Sequence, residues 1–224
     1  MLTAGKTALR TKTRKAIPLD SKRPPLPLRD RIVDAARRLV FSHGVDAISA
    51  RNIAAEVGVS ATAIYLHFES IEHLLHEIRM EGHALLTTYL RRPDEQMNAI
   101  ERICAMGYEY YRFGLDHPNY FQLMFLARID KAQLGQLIVS EGASLDVVRE
   151  AAKRGIERNE IRGGLDPLVI ANVAWMSIHG LTAMVVSGHA ATTAPGLEPQ
   201  LLEGLMESMR TWLAPPSSEA RKKR

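Results

Sequence analysis

The sequence predicts an all-α fold, and three observations support that prediction. Apolar residues recur at helical spacing near the start of the chain, where the i, i+3, i+4, i+7, i+8 stripe of an amphipathic helix is formed by Ile32, Ala35, Ala36, Leu39 and Val40. No stretch of any length alternates apolar and polar residues, as a half-buried strand would. Glycine and proline residues divide the remainder into segments of helical length. We therefore expect helices and no sheet.

The predicted helices follow one another along the chain. The first begins at Arg29 and ends at Gly44, because a glycine after the last turn commonly terminates a helix. Pro118 is expected to begin a helix, since proline is tolerated in the first turn only. The segment "NYFQLMFLA" that follows it is apolar nearly all round and should be buried. Further helices are expected at Ala50–Val57, 61–67, about 70–90, from after Pro93 to before Asp116, one or two within 131–159, and at about 167–188 and 198–213, with "SGHAATTAPG" as a loop.

Positive charge is concentrated at the two ends of the chain. The net charge is +4, with +6 on residues 1–28 and +3 on the last eight residues, which leaves about −5 on the residues between them. Basic ends are typical of arms that bind nucleic acid or an anionic membrane surface, and equally of solubilising tails. Residues 1–28 are also rich in proline, so we expect a disordered basic arm there and a basic tail at 215–224.

Composition and motifs exclude several classes of protein. Cys104 is the single cysteine, so no internal disulfide can form, which fits a reducing cytosol. No run approaches the roughly 18 apolar residues of a membrane span, and no apolar segment follows the basic N-terminus as in a secretory signal. No carboxylate pair, activated nucleophile or phosphate-binding glycine loop has a recognisable spacing. We expect a binding protein that is not an enzyme and uses no cofactor.

The segment "IAAEVGVSATAIYLHF" has the pattern of a helix-turn-helix. Ser49 and Ser60 are good N-caps for two short helices, and Gly58 between them supplies the positive φ of a tight turn. This arrangement leaves the second helix free to enter the major groove of DNA. The alternative is a generic helical hairpin within a bundle.

The exposed residues of the second helix predict how it would contact DNA. Small residues near its start allow close approach to base edges, where Thr62 can form a hydrogen bond and Ala63 an apolar contact. Ser60, Tyr65 and His67 suit phosphate oxygens. The full set of predicted DNA-binding residues is Ser49, Arg51, Ser60, Ala61, Thr62, Ala63, Tyr65 and His67.

The stretch "ARNIAAEVGVSATAIYLHFESIEHLL" resembles the N-terminal DNA-binding domain of the tetracycline-repressor (TetR) family over residues 29–75. The resemblance rests on Ile53–Ala54, Gly58–Val59–Ser60, Tyr65, His67–Phe68 and Leu74. Two positions depart from the family. Thr62 stands where glycine is frequent, and Ile71 stands where a phosphate-binding lysine is usual. The basic arm is a candidate replacement for that lysine.

The second half of the chain resembles the TetR subfamily named for a Trp-His-Gly motif. The segments "FGLDHPNYFQLMF" and "AWMSIHGLTAM" carry the resemblance, and the motif residues are Trp175, His179 and Gly180. The resemblance implies an all-helical homodimer of the bacterial cytoplasm that binds a palindromic operator, represses transcription, and releases DNA when a small ligand binds the C-terminal domain. That domain would cover residues 76–214.

Aromatic and methionine side chains in this domain suggest a pocket for a largely apolar ligand. The candidate ligand-binding residues are Met106, Tyr110, Tyr111, Phe125, Trp175 and His179. At helical spacing these residues fit an ordinary core equally well. His179 is also explained as a buried histidine that bonds a neighbouring tyrosine, and Gly180 as a point of close helix approach.

Two further features concern assembly and metal. The helices at about 167–188 and 198–213 are expected to form a four-helix dimer interface, with the candidate residues Val169, Val173, Met176, Leu201, Leu205, Met209 and Trp212. In "ESIEHLLHEIRMEGH", the side chains of His73, His76 and Glu77, with His83, have spacings that allow a divalent metal. A metal-responsive regulator and a regulator without any small ligand are therefore the alternatives.

Overall fold

The structure is a computed structural model that describes residues 26–127, 134–193 and 195–216. Every regular element among these residues is helical, which confirms the predicted fold class. The basic arm up to residue 25 and the tail from residue 217 lie outside the described residues. The helices are α1 (Leu28–His43), α2 (Ala50–Val57), α3 (Ala61–Tyr65), α4 (Ile71–Leu90), α5 (Ala99–Asp116), α6 (Pro118–Phe121), α7 (Leu134–Glu157), α8 (Pro167–Val186), α9 (His189–Thr193) and α10 (Glu198–Leu213).

Pro118 begins a helix as predicted, but the segment that follows is less regular than expected. After α6 the backbone widens into a turn of π-helix, Gln122–Leu126. Leu123 and Met124 are buried, whereas Gln122 and Leu126 are exposed. The expectation of a segment buried all round is therefore wrong, because the wider turn directs two of its side chains to solvent.

The segment predicted as a loop after α8 contains a short helix instead. Gly188, at φ 79°, ends the turn after α8, and α9 begins at the next residue. The Thr192 and Thr193 hydroxyls both donate to the His189 carbonyl at 2.9 Å, and Ala190 is buried. These local bonds and the buried alanine stabilise one turn of helix where composition alone indicated a loop.

Two hydrophobic cores divide the molecule. The first joins α1, α2, α3 and the start of α4, and it contains Ile32, Ile53, Ile64, Phe68, Leu74 and Ile78. The second joins the end of α4 to α5, α7, α8 and α10. One residue of the first core comes from far along the chain, because Leu123 of the π-helical turn is fully buried there. The N-terminal domain is therefore completed by the larger domain.

Polar contacts join the two cores beside this turn. Glu81 of α4 accepts two hydrogen bonds from Arg37 of α1, with Nε at 2.9 Å and Nη2 at 2.8 Å. The Tyr120 hydroxyl donates to the same carboxylate at 3.1 Å, and its ring meets the edge of Phe41. Gly82 allows α4 to approach closely, because a Cβ there would lie 2.4 Å from the sulfur of Met124. Helix α4 and residues 120–126 thus form one packed unit.

Helix α8 is long and apolar enough, by length and composition, to cross a membrane. A helix that packs inside a folded protein meets the same criteria. Ile170, Ala171 and Ile178 of α8 are buried in the second core, and Leu181 is also buried. The opposite side of the helix is exposed and also apolar.

Candidate functional site

The turn between α2 and α3 has the geometry that the sequence predicts. Gly58 adopts a left-handed conformation, φ 78° and ψ 38°. Its N–H and that of Val59 both donate to the Ala54 carbonyl at 2.9 Å, which closes the end of α2. A Cβ at Gly58 would meet no atom within 4 Å, so the glycine is needed for its backbone angle and not for space.

Helix α3 is held by its cap and by one buried residue. The Ser60 Oγ accepts from the Ala63 N–H at 3.3 Å, and Ile64 is fully buried in the first core. The helix ends at Tyr65, two residues earlier than expected, because the His67 and Phe68 N–H groups both turn back to the Ile64 carbonyl. His67 therefore lies in the turn after α3 and not on the helix.

Most predicted DNA-binding residues lie on α3 or directly beside its two ends. Ser60, Ala61, Thr62, Tyr65 and His67 are exposed, and Ala63 is half-buried. Leu66, which the predicted set omits, is 79% exposed and directly follows α3. A large aliphatic side chain at that position is suited to the methyl group of thymine.

The other two predicted residues lie at the start of α2, Ser49 as its N-cap and Arg51 in its first turn. Ser49 is half-buried, and its Oγ accepts from the Asn52 N–H at 3.2 Å, so this oxygen is already used to cap the helix. Arg51 is exposed on the first turn of α2, and no carboxylate among the described residues pairs with it. Of these two residues, Arg51 is therefore the candidate for a phosphate contact, because its side chain is positively charged.

The arginines of α1 are engaged within the protein. Arg29 pairs with Glu77 and lies over the ring of Phe68, while Arg31 donates to the Val57 carbonyl at 2.7 Å. Arg37 pairs with Asp34 and Glu81, and Arg38 with Glu56. Ile71, at the position where a lysine is usual, packs half-buried against the first core. The described recognition surface is therefore poor in free cations.

A cavity of about 240 Å³ lies in the larger domain, bordered by α4, α5, α7, α8, α10 and the π-helical turn. Four of the predicted ligand-binding residues line it, namely Met106, Tyr110, Phe125 and Trp175. Tyr111 and His179 are not part of the lining. Most of the other lining residues are aliphatic, including Leu86, Leu90, Ile103, Val148 and Ile178.

His179 is hydrogen-bonded to a neighbouring tyrosine. This is one of the two explanations that the sequence offered for the residue. Its Nδ1 lies 2.8 Å from the Tyr110 hydroxyl, and that hydroxyl also accepts from the Trp175 indole N–H at 3.2 Å. Burial raises the pKa of Tyr110 and lowers that of His179, so both are neutral near pH 7. Gly180 is exposed, and a Cβ there would meet no atom within 4 Å, so the expected close approach at this glycine is absent from the described protomer.

The second histidine of this region is His83, whose spacing in the sequence suggested that it could belong to a metal site. It is 3% exposed and lines the cavity wall, and neither of its ring nitrogens has a hydrogen-bond partner among the described residues. Burial lowers the pKa of His83 to about 4. No sequence signal separated His83 from His73 and His76, because all three share one polar helical pattern.

The histidines and Glu77 do not form a metal site. The His73 Nε2 lies 3.7 Å from Glu77, which is also paired with Arg29, and His83 is in the other core. No group of three or more histidine, cysteine or acidic side chains that could hold a metal ion occurs within the described part of the chain. The described residues therefore give the metal-responsive alternative no set of three ligands.

The exposed side of α8 is a continuous apolar stripe, to which α10 adds one residue. Its large members are Val169, Val173, Met176, Met184 and Leu201, with exposures between 36% and 61%. Leu205 and Trp212, two other predicted interface residues, are half-buried against the protomer's own core. Met209 is 6% exposed and lines the cavity, so its assignment to the interface is wrong. The helical phase of α10 turns Met209 inward together with Met206 and Leu213.

Two family models match the chain. The model described as "Bacterial regulatory proteins, tetR family" matches residues 32–78, from α1 to the first half of α4. The model described as "Tetracyclin repressor-like, C-terminal domain" matches residues 103–209, which include the cavity-lining part of α5, α8 and α10. The two matches cover the two cores in turn.

Individual proteins agree with these matches. YobS of Bacillus subtilis (strain 168), an HTH-type transcriptional regulator, is 24% identical over 187 residues, which are 82% of this chain and 89% of YobS. The HTH-type regulator Rv0681 of Mycobacterium tuberculosis is 20% identical over 166 residues, 74% of this chain and 73% of Rv0681.

Solved structures share the whole architecture. A protein of unknown function from Rhodococcus sp. RHA1 superposes with a TM-score of 0.72 at 26% identity, covering 87% of this chain and 100% of that chain. The transcriptional regulator FadR from Bacillus subtilis, solved in complex with stearoyl-CoA, has a TM-score of 0.64 at 19% identity, over 79% of this chain and 97% of that chain. At that identity the likeness concerns the fold alone.

Proposed function

The chain belongs to the tetR family of bacterial regulatory proteins, and on this premise we propose that it is a repressor released from a palindromic operator by a small, largely apolar effector. The family is one of DNA-binding transcriptional regulators and not of enzymes. The operator would be bound by a homodimer in the bacterial cytoplasm. The recognition helix α3, the cavity and the apolar stripe are the three parts that this function requires.

The observation that carries the proposal is the direct connection between the cavity and the first core. Phe125 lines the cavity, and Leu123, two residues earlier on the same π-helical turn, is buried in the core that holds α3. Helix α4 makes the same connection, since His83 and Leu86 line the cavity while Leu74 and Ile78 belong to the first core. These packed side chains are the route by which a change in the shape of the cavity would reach α3.

This connection has a thermodynamic consequence. A ligand that prefers a cavity shape incompatible with the DNA-bound spacing of the two α3 helices must weaken DNA binding, and DNA must weaken ligand binding by the same factor. Useful coupling free energies are about 1–3 kcal/mol, or roughly 5–150-fold in affinity. In a two-fold symmetric dimer built on the α8 stripe, the two α3 helices would meet half-sites about 34–36 Å apart.

The experiment that tests the proposal is selection of the binding site from random double-stranded DNA with the purified full-length protein. A palindromic consensus with half-sites about one helical turn apart is the expected result. Recovery of a single asymmetric half-site, or of no preferred sequence, would contradict operator binding by a symmetric dimer. Genomic positions of the consensus would then identify the regulated genes and the sign of regulation.

Substitutions on α3 should separate phosphate contacts from base contacts. Tyr65→Ala and His67→Ala are each expected to weaken binding to the selected operator and to unrelated DNA by a similar factor, because phosphate contacts carry no sequence information. Thr62→Ala is expected to change the base preference at one position of each half-site, by about 1–3 kcal/mol. Fluorescence anisotropy with operator and scrambled duplexes measures both effects.

Glu56→Gln is a control for this series, since Glu56 is exposed on α2 and faces Arg38. Its operator affinity should change much less than that of Tyr65→Ala. An unchanged affinity in Tyr65→Ala at low and at moderate salt would show that Tyr65 makes no phosphate contact.

The basic arm is expected to supply phosphate contacts that the described surface lacks. Deletion of residues 1–25 removes Lys6, Arg10, Lys12, Arg14, Lys15, Lys22 and Arg23. Each lost phosphate contact should reduce the slope of log affinity against log salt by roughly 0.9 and weaken binding at low salt. A salt titration of the deleted and complete proteins on the same operator measures the slope. Equal slopes would leave the arm as a solubilising tail.

A regulator without a small ligand is the remaining alternative. Such a protein would have the same α3 surface and the same dimer, but its cavity would be an imperfection of packing. Thermal unfolding in the presence of a set of apolar metabolites separates the two functions, because a ligand that binds only the folded state must raise the unfolding temperature.

A further inference from the structure

His83 lines the cavity, and its neighbours among the described residues form no hydrogen bond with its ring. The imidazole is 3% exposed, and both ring nitrogens are without a hydrogen-bond partner among the described residues. Its ring packs edge-on against Phe125, with the ring centres 5.8 Å apart. Buried polar atoms in folded proteins are nearly always hydrogen-bonded. An unpaired donor and acceptor at the wall of a cavity therefore suggests that a molecule in the cavity supplies the partner.

The protonation state of His83 determines which partner that is. Burial lowers its pKa to about 4, with a smaller contribution from His76, so the ring is neutral near pH 7. A neutral imidazole offers one N–H donor and one nitrogen acceptor. Hydroxyl and carbonyl groups match such a ring without any change of protonation.

The other polar side chains of the wall, those of Tyr110, Asn172, Trp175 and Ser144, are already engaged. The Tyr110 hydroxyl is held between Trp175 and His179, and the Asn172 side-chain amide donates to the Leu168 carbonyl at 2.9 Å. Among the described residues that line the cavity, none is an aspartate, glutamate, lysine or arginine. A charged group that entered would lose its hydration without gaining a counter-charge.

From these contacts we infer that His83 is the hydrogen-bonding anchor of the effector cavity, and that the effector is an uncharged, largely apolar molecule carrying a hydroxyl or carbonyl group. This inference rests on the proposed function and adds the chemical class of the effector. The cavity is smaller than the roughly 300–1,000 Å³ of pockets for drug-sized ligands, so the effector is a small molecule for its class. The anchor lies on α4, the helix that also packs in the first core.

Four probes of one shape test this inference. They are phenylbutanol, phenylbutanoate, phenylbutylammonium and butylbenzene, which differ in one terminal group. Binding to the full-length protein without DNA is followed by tryptophan fluorescence, since Trp175 lines the cavity and Trp212, the second tryptophan of the chain, does not. We expect phenylbutanol to bind about threefold to tenfold more tightly than butylbenzene, the gain of one hydrogen bond. Both charged probes should bind more weakly than phenylbutanol by at least about tenfold.

Variants of His83 test whether the tighter binding of phenylbutanol depends on the imidazole ring. His83→Leu is expected to bring phenylbutanol to the affinity of butylbenzene, and His83→Asn, which keeps a donor and an acceptor, to retain part of the preference. His73→Leu, which removes a histidine of the same helix outside the cavity lining, is the matched control and should keep the order of the four probes. His83→Leu should not lower the unfolding temperature, because it removes an unpaired buried polar group.

Other results would overturn the inference. Phenylbutanoate as the tightest probe would make the effector an acid, and an unchanged preference for phenylbutanol in His83→Leu would place the anchor elsewhere. Binding by none of the four would show that the cavity is not a site for this class. If His83→Leu fails to fold, His83 has a structural partner, and the ranking of the probes on the unaltered protein still decides the chemical class. Since these measurements contain no DNA, they can fail while the operator selection succeeds.

Discussion

Met176→Glu is expected to produce monomers that bind the operator at least about a hundredfold more weakly than the unaltered protein. Met176 is 61% exposed at the centre of the apolar stripe on α8. A glutamate there would bring two like charges together at a two-fold axis, where each loses its hydration. Loss of the second half-site removes an intramolecular binding step that is worth about 10²–10⁴ in affinity. Sedimentation velocity and operator titration measure the two effects on the same sample.

Met97→Glu is the matched control, since Met97 is 36% exposed in the connection between α4 and α5, away from α8 and α10. It should remain dimeric and bind the operator normally. Met176 is a better test than Leu205, because Leu205 also packs against the second core and a charge there would disturb the protomer itself. A Met176→Glu protein that stays dimeric, or a monomer that binds the full palindrome tightly, would contradict the proposed interface.

Leu123→Ala is expected to lower the free energy of unfolding by about 2–5 kcal/mol, the range for truncation of a fully buried leucine. Leu123 is 0% exposed, and its side chain completes the core that holds α3. The backbone carbonyl of this residue, which accepts from the Arg79 Nε at 3.2 Å, is not altered by the substitution. Operator affinity should fall as well, because the core that positions α3 is weakened.

Leu126→Ala tests whether this effect belongs to the core. Leu126 lies in the same π-helical turn but is 44% exposed, so its truncation should change the free energy of unfolding by less than about 1 kcal/mol. Urea denaturation of both variants gives the comparison. Similar losses in the two variants would mean that the turn, and not the buried side chain, is what stabilises the domain.

The helix-turn-helix can be predicted from the sequence because its signals are local. Ser49, Gly58 and Ser60 act on backbone groups within a few residues of themselves, and the structure places each in the expected conformation. The predicted end of α3 is wrong because the His67 and Phe68 N–H groups both bond to the Ile64 carbonyl, which closes the helix at Tyr65.

The cavity can be predicted only in part, because its chemistry depends on residues distant in the chain. Tyr110 and His179 are 69 residues apart, and their hydrogen bond removes His179 from the candidates for a ligand contact. His83 resembles a member of a polar cluster, since its helix carries histidines on several sides, and only the packing of α4 against the second core reveals that it is buried. The assignment of Met209 to the dimer interface fails for the same reason. An apolar stripe in the sequence predicts burial, but it does not distinguish burial in the protomer's own core from burial against a second copy.

The burial of Leu123 in the first core limits how this regulator can be recombined with others. A segment ending with α4 looks like a module, because it contains the whole helix-turn-helix and one continuous stretch of sequence. Yet the module is topologically incomplete, and a fusion that transplants it onto another effector domain leaves a leucine-sized void unless the recipient supplies an equivalent side chain. The exchangeable unit is therefore discontinuous and consists of α1 to α4 together with residues 118–126. Hybrid regulators of altered operator or effector specificity are best built by respecting that boundary, or by reshaping the surface of α3 and the wall of the cavity in place.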